Sequence, residues 1–408
     1  MRITHDGRAR TATAIAAAAA VPAIAIATAA QPSNVPAPGP TASVVWQLPG
    51  ESVGRPTHDD DTAYFLSKGR EVVAIQTDTG VVRWRSGTGV ASTDAIFGDT
   101  TAGTAVRLAG DTVVAGDWDV VGFDRRTGTR RWIYEAPNGD GPGLFLGATA
   151  GDVVYTGSPD GRMYAIDAAR GRLLWTTHVV DTPGVRSTLF EPVVDGEFVA
   201  ATYSTYNLPG VGGVVVVDAA SGRLRWKTEF PKPRESWQST IRAGGPVWVD
   251  DLLIAAATDG NLYAFDAATG VVRWAFPRLD GPFSGAIASP DIDQRALVRA
   301  GRLIVAGSTT GLVVAYDVDT RRERWRHDAG YWGSPTFSLA ADDRLAYLPF
   351  FGGFIVAVDL TNGQEQWRFG DFRMGFLWAP SPHGDKVYAS ASSAGFYALA
   401  TRRPGGQP

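Results

Sequence analysis

The chain of 408 residues contains no cysteine. That absence excludes a disulfide framework, a thiolate-ligated zinc or iron–sulfur cluster, a thiol nucleophile and a c-type haem attachment. It also excludes lipid attachment through an N-terminal cysteine. Histidine is scarce at five residues, and no HExxH helix, phosphate loop or Ser-His-Asp order is present. Charged residues make up 20% of the chain and the formal net charge is −4, so nucleic acid is not an expected partner. Lysine occurs only at positions 68, 227, 232 and 386, which with abundant alanine, glycine and proline is the mark of a GC-rich genome. What the chain does hold is 48 glycines, 25 prolines and 13 tryptophans. Length alone suggests two or three domains.

The ends have their own composition. Arg2, Arg8 and Arg10 precede an uncharged, alanine-rich run from Thr11 to Ala30 that contains Ala27-Thr28-Ala29. Residues 1–30 are expected to be an export signal, or else a single anchoring helix, and only a retained segment would bring the chain to a membrane. Residues 31–41 read as a proline-rich linker. The protein is expected outside the cytoplasm, secreted or in the cell envelope, and monomeric.

Internal repetition decides the fold. A short apolar strand, an Asp, a turn with Thr-Gly and a Trp eight residues after the Asp recur along the chain. Copies read VVAIQTDTGVVRW (72–84), VVGFDRRTGTRRW (120–132), MYAIDAARGRLLW (163–175) and VVVVDAASGRLRW (214–226). They continue as LYAFDAATGVVRW (262–274), VVAYDVDTRRERW ending at Trp325, and IVAVDLTNGQEQW (355–367). An eighth copy starts at Gly395 and stops short of its Trp, while an unpaired Trp46 stands near the other end. The spacing of about 46 residues is that of one four-stranded propeller blade. The expected architecture is therefore an all-β, eight-bladed propeller over residues 42–402, its ring closed by an N-terminal strand that completes the last blade, with a tail at 403–408.

Each motif residue has a mechanical use. Gly80, Gly128, Gly171, Gly222, Gly270 and Gly363 permit positive φ in a tight turn. A small residue two before the Asp leaves room for a flat ring, and the Asp accepts backbone N–H bonds in the turn. Trp46, Trp84, Trp132, Trp175, Trp226, Trp274, Trp325 and Trp367 are expected to clasp each blade to the next. Gln76 replaces the Asp of the first copy, Val216 the small residue of the fourth, and Arg170 and Asn362 replace Thr. Arg321 replaces the Gly of the sixth, as tolerated drift or as a widened turn.

The pattern AxDxxTGxxxW resembles the tryptophan-docking motif of the PQQ-like repeat propellers, the quinoprotein and BamB-type family, and the chain is similar to its secreted actinobacterial members. The resemblance covers about residues 41–402 and is specific for fold, not for activity. One branch comprises PQQ-dependent dehydrogenases; the other comprises non-enzymatic propellers, including the BamB component of outer-membrane assembly. The resemblance implies that the first branch needs calcium beside the quinone, an Asp base and often a vicinal disulfide, which this chain cannot form. A non-catalytic scaffold binding an envelope or extracellular protein, peptide or glycan is expected, with no cofactor and no metal. PQQ with calcium is the alternative.

Other candidates are weaker. His58-Asp59-Asp60-Asp61 is expected in a hairpin turn rather than at a metal, and Asp291 with Asp293 in the corresponding turn. His178 and His327 follow their Trp on outer strands. Aromatic residues near the loops, Tyr203, Tyr206, Trp237, Trp332, Phe351 and Trp378 among them, either form a binding rim or pack beneath the loops.

Overall fold

The computed structural model describes residues 40–50, 52–89, 105–117, 119–135, 143–179, 187–205, 212–230, 245–257, 261–276, 297–307, 311–328, 339–350, 353–371, 373–375 and 378–401. All lie within Pro38–Pro408, one of two compact units of the chain. Among the described residues every regular element is a strand and none is a helix.

The strands follow the repeat. In the third copy, Phe145–Ala150, Val153–Gly157, Arg162–Asp167 and Arg172–His178 pair antiparallel in chain order. Val154, Ala165 and Ile166 are wholly buried, so the middle strands are covered on both faces, which is why they read as unbroken apolar runs. The fourth strand instead holds only exposed and half-buried positions, as the edge of its sheet. Among the described residues five sheets have four strands, one has five and one has eight. The eight-stranded sheet joins two repeats through a parallel pairing of Arg55 with Ala105.

The sheet of Ser381–His383, Lys386–Ala391 and Gly395–Ala400 takes its fourth strand from the far end of the chain. Val44–Leu48 pairs antiparallel with Gly395–Ala400, placing Trp46 opposite Ala398. Successive sheets pack face to face through apolar side chains, as Val114 does with Leu146, Val154 and Ile166. Tyr388, Phe396 and Ala398 of the last sheet likewise pack on Ala63, Phe65, Val73 and Ile75 of the first repeat.

The motif turn explains how neighbouring sheets are held. Asp266 Oδ1 accepts hydrogen bonds from the backbone N–H of Ala268 and Thr269 and from the Thr269 hydroxyl. Asp124, Asp218 and Asp359 hold their turns in the same way. Gly270 takes φ 73° and its missing side chain admits the Trp226 ring; a Cβ there would stand 2.4 Å from the indole. The Trp226 indole N–H also donates to Ala267 O at 2.8 Å. Six other tryptophans donate to the residue at the same motif position of the next repeat: Trp46 to Thr77 O, Trp84 to Arg125 O, Trp132 to Ala168 O, Trp175 to Ala219 O, Trp325 to Leu360 O and Trp367 to Thr401 O. Within its own sheet the ring lies opposite the residue two before the Asp: Trp84 pairs with Ala74 and Trp132 with Gly122, while Trp226 pairs with Val216.

The departures keep this geometry. Gln76 Oε1 accepts the Thr79 hydroxyl at 3.0 Å, as the Asp does elsewhere. Arg321 adopts the left-handed φ of 55° that the glycine would take, with Asp317 still opposite Arg322, so the turn is not widened. Its guanidinium lies 5.7 Å from the centre of the Trp274 ring, a cation–π contact in place of the glycine's bare approach.

Two alanine substitutions separate the ring contact from the backbone conformation. Gly301 has φ 60° with nothing within 4 Å of a built Cβ. Gly301→Ala should cost about 1 kcal/mol, the left-handed penalty alone. Gly270→Ala should cost about 1–3 kcal/mol more through overpacking against Trp226. Urea unfolding of the two variants would check this; equal losses would remove the ring from the account.

Candidate functional site

Residues from the first strands of several repeats surround a cavity of about 410 Å³. In a strand every second side chain faces the same way. Arg55 and Thr57 of Ser52–His58 therefore both line the cavity. Arg55 stands opposite Ala105, and Arg107 lies two residues beyond on the same face of Ala105–Ala109. Phe145 and Gly147 enter from the third repeat and Phe190 to Val193 from the fourth; Val247, Leu297 and Leu339 complete an apolar wall.

The charged groups are few and unevenly satisfied. Arg107 donates through Nε to Gly147 O and through Nη1 to Val106 O, both at 3.0 Å. Burial, with Arg55 beside it, lowers its pKa to about 10, which leaves it charged at neutral pH. Arg55 Nη2 lies 3.7 Å from Glu191 Oε2. Phe145 stacks against Phe190 with ring centroids 6.3 Å apart. Gly147 lets the third and fourth repeats meet, since a Cβ there would fall 2.4 Å from Pro192 O. Among the described lining residues the cavity thus has two guanidiniums, one carboxylate and apolar walls.

The residues singled out by sequence fall elsewhere. Tyr203 is 1% exposed and packs among Tyr155, Met163 and Val199, because Phe198–Thr205 runs on as a buried second strand where a loop was expected. Trp378 is 6% exposed and packs on Val53, Leu66 and Val72. Both are core rings rather than rim residues. Tyr206, Trp237, Trp332 and Phe351 lie outside the described residues, as do Asp291 and Asp293. His58, Asp59, Asp60 and Asp61 do form a strand end and turn. Asp59 Oδ1 accepts the N–H groups of Asp61 and Thr62, and Oδ2 accepts Tyr64 Oη and the Arg125 guanidinium. His327 is on the fourth strand of its sheet with Nδ1 3.1 Å from Gly363 O, and His178 is on another. The cavity arginines went unnoticed because no motif marks the first strands. The available signal was an arginine inside an apolar strand run, in SVGRPTH and AVRLA.

A family model described as outer membrane protein assembly factor BamB matches residues 33–230 and 210–407. The chain belongs to that family of PQQ-like repeats. Its BamB-type sequence is 28% identical over 298 residues to the outer membrane protein assembly factor BamB of Bordetella pertussis, covering 63% of this chain and 72% of the relative. It is also 24% identical to a polyvinylalcohol dehydrogenase of a Pseudomonas species, covering 84% of this chain but only 58% of the enzyme's length. The crystal structure of BamB from Moraxella catarrhalis superposes with a TM-score of 0.65 over 90% of this chain and all of that one, at 18% identity. That likeness shows the fold, an all-β propeller.

The motif carboxylates of this BamB-type chain give acid stability a defined sign. Backbone and hydroxyl bonds from Thr127, then Arg131, lower Asp124 to about 2. The Ser221 hydroxyl and Arg225 do the same for Asp218, and Arg273 and Thr269 for Asp266. A carboxyl with a folded pKa below its unfolded value of about 3.9 stabilises the fold above that value. That share is lost as pH falls toward about 2. Urea midpoints should therefore drop steeply below about pH 4, and less steeply in Asp266→Asn, whose side chain cannot titrate. An identical acid limb in the variant would contradict this.

Proposed function

We propose that the chain is an exported eight-bladed propeller that works as a non-catalytic binding scaffold in the cell envelope or outside the cell. The ring closes where Val44–Leu48 completes the sheet of Gly395–Ala400; the packing of that sheet on the first repeat supports this. The eight motif tryptophans clasp neighbouring blades, a role supported by seven indole bonds that each reach the next repeat. Residues 1–30 direct export, and the partner is a protein, peptide or glycan met outside the cytoplasm. The similarity to an outer membrane protein assembly factor supports that placement.

The observation that carries the non-catalytic reading is the donor set of the cavity. Calcium takes about six to eight oxygen ligands, several of them carboxylate. Glu191 is the one carboxylate among the described lining residues, and Arg55 faces it. Among the described residues no three His, Asp or Glu groups are placed to hold a metal ion. These residues do not fit a quinone–calcium centre. The alternative, a quinoprotein dehydrogenase, draws on the likeness to polyvinylalcohol dehydrogenase across most of the chain.

The two readings separate in one preparation. Purified protein given PQQ, calcium and an alcohol should reduce no redox dye, while crosslinking in intact cells should trap the same envelope partner repeatedly. Dye reduction dependent on PQQ would replace the scaffold with the enzyme.

A further inference from the structure

The cavity holds more positive charge than the fold requires. Arg107 lines the cavity and uses two of its N–H groups on carbonyls of the wall, Gly147 O and Val106 O. Arg55 has no hydrogen-bond partner among the described residues; at 3.7 Å its ion pair with Glu191 is too long for a direct bond. Two neighbouring guanidiniums against one carboxylate leave an excess of positive charge in a partly enclosed space, where the Arg55 side chain is 34% exposed. Arg125, by contrast, is bonded twice by the Asp59 carboxylate.

Facing these charges are the stacked rings of Phe145 and Phe190 and the aliphatic wall of Val247, Leu297 and Leu339. A volume of about 410 Å³ lies within the range of small-molecule pockets. A ligand that suits both halves has one anionic end and one apolar end. We propose that this cavity binds a small monocarboxylic acid with an aromatic or branched apolar body. Its carboxylate lies between Arg55 and Arg107, and its body rests against Phe145, Phe190 and the aliphatic wall. Planar two-oxygen anions match the guanidinium fork. Glu191 sets the charge limit: it neutralises part of the positive field and repels a second carboxylate, so monoacids are preferred over polyacids. The inference rests on the binding-scaffold reading and names the ligand class of its cavity.

Calorimetric titration of the full chain with naphthoate, naphthalenemethanol and inorganic phosphate tests it. Naphthoate should bind, and the neutral alcohol and the phosphate should bind at least about tenfold more weakly. Arg55→Gln, which breaks no hydrogen bond of the wall, should weaken naphthoate about tenfold with an unchanged melting temperature. Arg107→Gln should do the same, with some loss of stability. Glu191→Gln should tighten naphthoate and raise the affinity for naphthalene dicarboxylate still more. No naphthoate binding, equal binding of acid and alcohol, or indifference to both Arg55→Gln and Glu191→Gln would overturn the assignment. Such a failure, with no dye reduction and an envelope partner still trapped, would leave the scaffold reading standing. PQQ-dependent dye reduction would remove that reading whatever naphthoate does.

Discussion

The structure depends on one contact repeated along the chain: an indole from one sheet laid on a glycine of the next. An indole plate buries up to about 200 Å², worth about 5 kcal/mol as apolar area. Its N–H bond contributes about 1 kcal/mol. Burial therefore supplies the energy and the hydrogen bond supplies the orientation. Both need a left-handed receiving turn, and Gly270 and its counterparts take positive φ and leave the turn bare where they meet the ring. At Arg321 the same turn is kept without glycine, and the ring contact becomes a cation–π pair.

The turn carboxylates belong to the same device. Each motif Asp fixes the backbone that presents the glycine, and in several repeats an Arg immediately before the Trp binds its second oxygen, as Arg131 does on Asp124 and Arg225 on Asp218. These ion pairs are partly exposed and worth little singly. Their acid sensitivity matters because it is repeated around the same structural position. Asp59 is different: it joins the first hairpin turn to Arg125 of the next repeat, so a residue that looked like a metal ligand on paper serves as an inter-sheet tie.

The clasp is made by the fourth strand of each sheet and the motif turn of the next. Arg55, Arg107 and Phe145, at alternate positions of first strands, face the cavity and make none of the clasp contacts, and Phe190 and Glu191 reach it from between Ser187–Leu189 and Val193–Asp195.

The sequence by itself determined the repeat, the strand content and the motif residues, because a fixed spacing of Asp, Gly and Trp has one mechanical use in stacked sheets. It also placed Asp60 and Asp61 in a hairpin turn. Tertiary structure alone decided the rest. For Tyr203 and Trp378 rim and packing both stay open in the sequence, because an aromatic near a glycine-rich loop looks the same whether its strand has ended or not; burial makes them core. Arg55 and Arg107 lie 52 positions apart and share no motif. Only the parallel pairing of Arg55 with Ala105 brings them to one wall, and only closure of apolar side chains around them turns two ordinary arginines into a charged site.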